Sequence, residues 1–243
     1  MQQFLKKSLR KYFQMSGYDI SRYHPSSSSA AQICKALEIS GVDIIFDIGA
    51  NEGQFAKETR DSGYRRKIVS FEPLSSARVK LLEFAELDKN WIIHDQSAIG
   101  DQNGFIEINI AGNSVSSSVL PMLQSHSSAA VGSAYIASER VPISSLDSVA
   151  DKYLAPNSNL FIKIDTQGYE WQVLDGAHET LKRAKGLLCE LSLVPLYEGQ
   201  RLWRDIIDRL DAEGFALWAL QKGFTDPPTG QSLQMDAIFL RRD

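Results

Sequence analysis

An alternation along the chain restricts its fold more than any other feature. Short apolar runs that end in polar residues stand at 43–48 (DIIFDI), 67–72 (KIVSFE), 91–97 (WIIHDQS), 160–165 (LFIKID) and 186–193 (GLLCELSL). Between them lie stretches with helical spacing at 53–62, 74–87, 170–184 and 201–213. A strand that is apolar on nearly every residue is buried on both faces. Amphipathic helices between such strands cover a parallel sheet from both sides. Two further strands are expected at 214–220 and 233–240, joined by the Pro/Gly-rich GFTDPPTGQ. No helix fits between them, so they form an antiparallel hairpin at the sheet edge.

Composition excludes several classes. The chain has 243 residues, 43% of them hydrophobic and 23% charged, as in a globular α/β protein. It carries 26 basic and 30 acidic residues, which leaves no global positive field and argues against a nucleic-acid partner. The two cysteines, Cys34 and Cys189, make neither a disulfide framework nor a metal knuckle. No run of 18 apolar residues is present, and MQQFLKKSLRKYF has charges with no apolar stretch behind them, so a cytoplasmic protein is expected. In that stretch Phe4, Leu5, Leu9, Tyr12 and Phe13 share one helix face, with Lys6, Lys7, Arg10 and Lys11 around it. This pattern suits either a short helix docked on the domain or weak contact with a membrane surface. Residues 1–40 read as a helical extension and 41–243 as the main domain. Within it, the Ser/Ala/Gly-rich segment 112–138 is too apolar for a linker and reads as a substrate lid.

Chemistry concentrates at the carboxyl ends of the strands, where open parallel sheets bind ligands. DIIFDIGANEGQF (43–55) ends a buried strand on Asp47 and turns through Gly49 into a helix, which brings backbone N–H groups close to a ligand. An ordinary tight turn is the other reading of these residues alone. Glu72 closes the next strand, about 20 residues further on, where an acid accepts bonds from ribose hydroxyls. The pair points to an adenosine-type cofactor. A dinucleotide fold needs a third glycine for its pyrophosphate, and here Gly49 and Gly53 frame Ala50, Asn51 and Glu52 instead. Acids at Asp47 and Glu52 repel phosphate and suit a cationic ligand with an amino group. S-adenosylmethionine meets that description.

FDIGANEGQFA, VSFEP, SAIGD and IKIDTQGYEWQVLDGA together resemble the FkbM-type S-adenosylmethionine-dependent methyltransferases, over about residues 40–241 and in the family's order. The resemblance implies a Rossmann-like class I methyltransferase fold, with a mostly parallel sheet of about seven strands, helices on both faces and an antiparallel C-terminal hairpin. It also implies O-methylation of a hydroxyl on a sugar-containing acceptor. By motif, Asp47, Gly49, Asn51 and Glu72 bind the cofactor, Ser97 and Ala98 lie beside the adenine, and Ala50, Glu52, Phe55 and Pro73 complete the expected set. A sugar hydroxyl needs a base to take its proton. Asp165, at the end of its strand, is the first candidate, with capping of the following helix as its alternative role. His126 in the Ser-rich segment and Glu190 within a strand are the next two, with Glu170 and His94 as further candidates. Asp165, Glu170 and Glu190 could also hold a divalent cation that polarises a sugar diol, although their spacing matches no fixed metal motif and no metal ligand is assigned. Trp203, Trp218, Phe224 and Tyr197 are candidates for stacking on a sugar ring. A nicotinamide-dependent oxidoreductase and a non-catalytic cofactor-binding module are the rival readings.

Overall fold

The computed structural model describes residues 2–18, 20 and 22–242, and the side chains of residues 2–6, including Phe4, Leu5 and Lys6, lie outside that description. Its helices are α1 (Gln2–Met15), α2 (Ser29–Ile39), α3 (Gln54–Asp61), α4 (Ser75–Ala85), α5 (Gln124–Ser127), α6 (Leu146–Val149), α7 (Glu170–Asp175), α8 (His178–Arg183) and α9 (Trp203–Ala212). The strands are β1 (Ile44–Ile48), β2 (Lys67–Phe71), β3 (Trp91–Ile93), β4 (Ala98–Gly100), β5 (Gly104–Ala111), β6 (Tyr135–Ser145), β7 (Leu160–Ile164), β8 (Ala184–Ser192), β9 (Phe215–Lys222) and β10 (Gln234–Arg241).

Seven strands form one sheet in the order β3-β2-β1-β7-β8-β10-β9. The first five are parallel, and β10 runs antiparallel to both of its neighbours. This is the parallel sheet expected from the alternation, in the mostly parallel Rossmann-like form that the resemblance implies. The hairpin is present, with β10 inserted between β8 and β9, so that β9 forms the edge. All five residues of β1 and of β7 are buried, as central strands covered on both faces must be. One face packs Phe46, Ile48, Ile162, Ile164 and Leu187 against Val173, Leu174, Ile206 and Leu210 from the helices. The other packs Ile45, Ile68 and Phe161 against Ala36, Leu37, Ala56 and Leu81. Each such side chain contributes about 1.5–3 kcal/mol when fully buried.

The chain first builds outward from β1 through β2 to β3, then returns to start again at β7 on the opposite side of β1. The reversal leaves a crevice above the carboxyl ends of β1 and β7.

Three local readings are corrected. The strand expected over 91–97 ends at Ile93, and Ala98–Gly100 leaves the main sheet for a second one ordered β4-β6-β5. That second sheet was not anticipated from the sequence. Its first four long-strand positions, Tyr135 to Ser138, occupy the end of the segment read as a lid, so the irregular part is 112–134. The helix expected over 170–184 is broken after Asp175. A Cβ on Gly176 would lie 1.8 Å from the carbonyl oxygen of Gly100, so the end of β4 packs directly on this backbone. Among the described residues, no helix is long and apolar enough to cross a membrane.

Candidate active site

A cavity of about 530 Å³ opens at the crevice between β1 and β7. One side is the turn after β1. Gly49 sits at φ +74°, and a Cβ there would lie 1.8 Å from the carbonyl oxygen of Asp165, so only glycine lets the two strand ends approach this closely. Asn51 also takes a left-handed conformation, at φ +46°. Its backbone N–H donates to Glu72 Oε2 at 2.7 Å, and Leu74 N–H donates to Glu72 Oε1 at 2.8 Å. Glu72 therefore staples the turn after β1 to the turn after β2 while still lining the cavity. Burial raises its carboxyl to about 7, against backbone hydrogen bonds that pull it down.

The floor is organised by a residue that sequence reasoning quoted without giving it a role. Lys163 is buried on β7, and its ammonium donates to the carbonyl oxygen of Gly49 at 2.8 Å. It stands 3.3 Å from Asp47 Oδ1 and 3.4 Å from Asp165 Oδ2. Burial alone would lower its pKa, but the carboxylates of Asp165 and Asp47 outweigh that and raise it. Asp47 lies under the turn, completely buried, and its other oxygen accepts from Ser70 Oγ, which in turn accepts from Trp91 Nε1. Its Oδ1 has an ion-pair partner but no hydrogen bond of good geometry.

The far wall carries Asp165, just beyond β7, and Glu190 of β8. Gln167 is held at φ +53° and donates from Nε2 to both Asp165 Oδ1 and Glu190 Oε2, each at 2.9 Å. Its own Oε1 accepts from Tyr197 Oη at 2.9 Å. Glu190 also accepts from Gln234 Nε2 at 2.6 Å, and Asp236 stands directly opposite it in the β8–β10 register. Burial, then the neighbouring charges of Asp165, Glu170 and Asp236, push Glu190 well above the usual carboxylate range. Burial likewise raises Asp236 to about 6. Glu170 points back into its own loop, where Oε1 accepts from the N–H groups of Thr166 and Gly168, both at 3.0 Å.

The roof is the irregular segment 112–134. Ser118 Oγ donates to the carbonyl oxygen of Gln167 at 2.6 Å, which fastens the roof to the β7–α7 loop. His126 is buried beside Tyr197 and Phe224, with Nε2 3.0 Å from Ser116 Oγ and Nδ1 without a partner. Burial lowers its pKa.

Of the expected cofactor residues, Gly49, Ala50, Asn51, Phe55, Glu72, Pro73 and Ala98 line this cavity, and so do Asp165, His126 and Glu190. Asp47, Glu52 and Ser97 do not. Glu52 turns outward to pair with Lys80, and Ser97 Oγ donates to the carbonyl oxygen of Ala98. The acids that line the cavity are thus Glu72, Asp165 and Glu190, while Asp47 and Glu52 lie outside its lining. Asp165 caps no helix, because α7 starts five residues later. His94 lies away from the cavity, bonded to Tyr153 Oη and packed on Phe71. Of the four aromatic candidates for stacking, Phe224 is the one that lines the cavity. Tyr197 supports Gln167, Trp203 packs on the core, and Trp218 is on the edge strand β9. No group of three His, Cys, Asp or Glu among the described residues is arranged to hold a metal ion.

The methyltransferase FkbM domain family matches residues 47–217, most of the chain. The chain belongs to that family. No curated protein matches it. Among solved structures, fibrillarin from Aeropyrum pernix with natively bound S-adenosyl-L-methionine is 11% identical, with 86% of this chain and 74% of that one covered at a TM-score of 0.46. An rRNA methylase from Streptococcus thermophilus is 9% identical over 93% and 100% of the two chains, at 0.47. Precorrin-6y C5,15-methyltransferase from Geobacter metallireducens is 12% identical over 88% and 87%, at 0.44.

S-adenosylmethionine, the cofactor of the FkbM family, fits the donor set of this cavity. Asn51 lines the cavity, and its Oδ1 is a buried acceptor without a hydrogen-bond partner, which an ammonium would satisfy. Glu72 retains lone pairs for ribose hydroxyls beyond its two backbone bonds. Lys163 is the one cation among the lining residues, and its charge is already offset by Asp47 and Asp165. A cationic ligand therefore enters a site with acid to spare, whereas a pyrophosphate would meet Glu72 and Asp165. Membership of a methyltransferase family and this charge distribution both set aside the nicotinamide reading.

Proposed function

We propose that the protein is an S-adenosylmethionine-dependent O-methyltransferase that acts on a sugar hydroxyl of a glycan, glycolipid or glycosylated metabolite. One observation carries the reading. In the cavity lining, Gln167 Nε2 bridges Asp165 and Glu190, Gln234 bonds Glu190, and the rings of His126 and Phe224 stand against each other. Carboxylates and amides at close spacing suit adjacent hydroxyls, and an aromatic face suits a sugar ring.

The cofactor supplies an electrophilic methyl group. The chain's own residues place the acceptor and manage its proton. Asp165, partly open to the cavity, accepts the hydroxyl proton. Lys163 keeps that carboxylate in place from below and Gln167 from the side. Glu190, whose pKa burial and acidic neighbours push well above the usual carboxylate range, accepts from Gln167 and Gln234 and positions a second hydroxyl. His126 is a weaker base than usual because it is buried, and it orders the roof through Ser116. The segment 112–134 closes over the acceptor and excludes water.

The test is a panel of glycan, glycolipid and glycoside acceptors incubated with methyl-labelled cofactor and read by mass. A labelled sugar oxygen is the expected product. Label on nitrogen, carbon or a non-sugar oxygen refutes the acceptor class. Cofactor binding with no turnover on any acceptor would favour the non-catalytic module.

A further inference from the structure

We infer that α1 (Gln2–Met15) lies flat on an anionic lipid surface and docks the protein there. At 3.6 residues per turn, Leu9, Tyr12, Phe13 and Met15 fall on one half of this helix, with Lys7, Arg10 and Lys11 on the other. Among the described side chains of the apolar half, three are open to solvent. Leu9, Tyr12 and Met15 are 56%, 70% and 82% exposed, and none of the described residues of α1 belongs to a packed core cluster.

A helix of this length is marginal in water by itself, so its stability must come from whatever covers that half. Charge identifies the partner. The chain as a whole is acidic, with 30 acids against 26 bases, yet the α1 sequence QQFLKKSLRKYFQM holds four bases and no acid. Cations alone would suit any polyanion. Cations flanking an apolar half suit a surface that is apolar below and negative above, which is the headgroup boundary of an anionic bilayer. The residues that follow extend the same character, since Tyr18 and Tyr23 are exposed aromatics with polar tips of the kind that settle at headgroup level.

The experiment is flotation of the full chain with vesicles of phosphatidylcholine alone or mixed with phosphatidylglycerol. Binding is expected only to the mixed vesicles, and it should weaken as salt is raised. The double variant Lys7→Gln, Lys11→Gln should lower affinity by roughly 25-fold, about fivefold for each lysine removed from a charged surface. Leu9→Ser with Tyr12→Ser should abolish binding with the thermal unfolding midpoint unchanged. If that pair unfolds the domain, the lysine pair decides. Failure to bind mixed vesicles overturns the proposal, as does binding that neither pair of variants alters. Sedimentation velocity closes the remaining routes. Self-association lost in Leu9→Ser, Tyr12→Ser, or capture by an acidic protein groove while vesicles stay unbound, would assign the face to protein and refute the lipid reading.

Discussion

Lys163 is the residue on which the site's geometry depends most. It ties the glycine turn to the candidate base, and it balances an Asp47 that has no access to water. Lys163→Met keeps the volume and removes the charge, leaving Asp47 buried and unpaired. Stability should fall by about 3–5 kcal/mol, as when one partner of a buried pair is lost. Denaturant unfolding measures this, and a change below about 1 kcal/mol would mean that Asp47 simply takes up a proton. Asp165→Asn keeps the bond to Gln167 possible and tests the chemistry. Methyl transfer should slow by about 10²–10⁴-fold with cofactor affinity nearly unchanged. A near-normal rate in Asp165→Asn beside a dead His126→Ala would move the base to the histidine. The motif KIDTQGYE announced this corner of the molecule in the sequence, but not the division of labour within it. Lys163 and Gln167 read as polar residues at a strand end, and only their distances to Asp47, Asp165 and Glu190 give them work.

At the scale of elements, the roof covers the cavity with Asn113 to Val119, His126, Ala130 and Val131. Segment 112–134 is not uniformly loose. Leu123 N–H donates to the carbonyl oxygen of Leu196 and Glu198 N–H to that of Pro121, so the middle of the segment is anchored to the loop after β8. Val131 at its tip is 98% exposed, and Val115 also projects outward from the cavity lining. Hydrogen exchange with cofactor and acceptor should therefore show new protection at 113–117 and 129–133, with the Leu123 and Glu198 amides protected throughout. Equal exchange in both states would make the roof a fixed wall. The second sheet that carries this roof had a faint sequence signal. Ile106, Ile108 and Ile110 alternate, as do Val141 and Ile143 on the partner strand, and period-2 patterning of that kind marks a sheet with one covered face. It was masked by the Ser-rich composition between them, which carries no periodicity.

For the whole molecule, the concentration of buried acid has a consequence in pH. Folding raises Glu72 from 4.5 to about 7, Glu170 from 4.5 to about 6 and Asp236 from 3.8 to about 6, chiefly by burial. The native state then binds more protons than the unfolded chain between those values, so the contribution of these groups to stability falls as pH rises through about 4 to 7. Thermal unfolding without ligand should show a midpoint that declines across the upper part of that window, and Glu72→Gln should flatten it. A cationic cofactor favours the ionised form of Glu72, which of these three lines the cavity, so its affinity should rise as pH passes through about 7; calorimetry that finds no pH dependence would remove Glu72 from its site. Sequence alone settled the alternation of strands and helices, the glycine turn at Gly49 and the acid at Glu72, because each rests on local periodicity or on a backbone conformation that few residues allow. Tertiary structure decided which acids face the cavity. Asp47 and Glu52 stand beside the turn in the chain, but one points beneath it to Lys163 and the other outward to Lys80. Glu190 and Asp236 come together from strands 46 residues apart because β10 inserts between β8 and β9. Side-chain direction and long-range strand pairing are properties of the packed sheet, and no local pattern in the sequence encodes them.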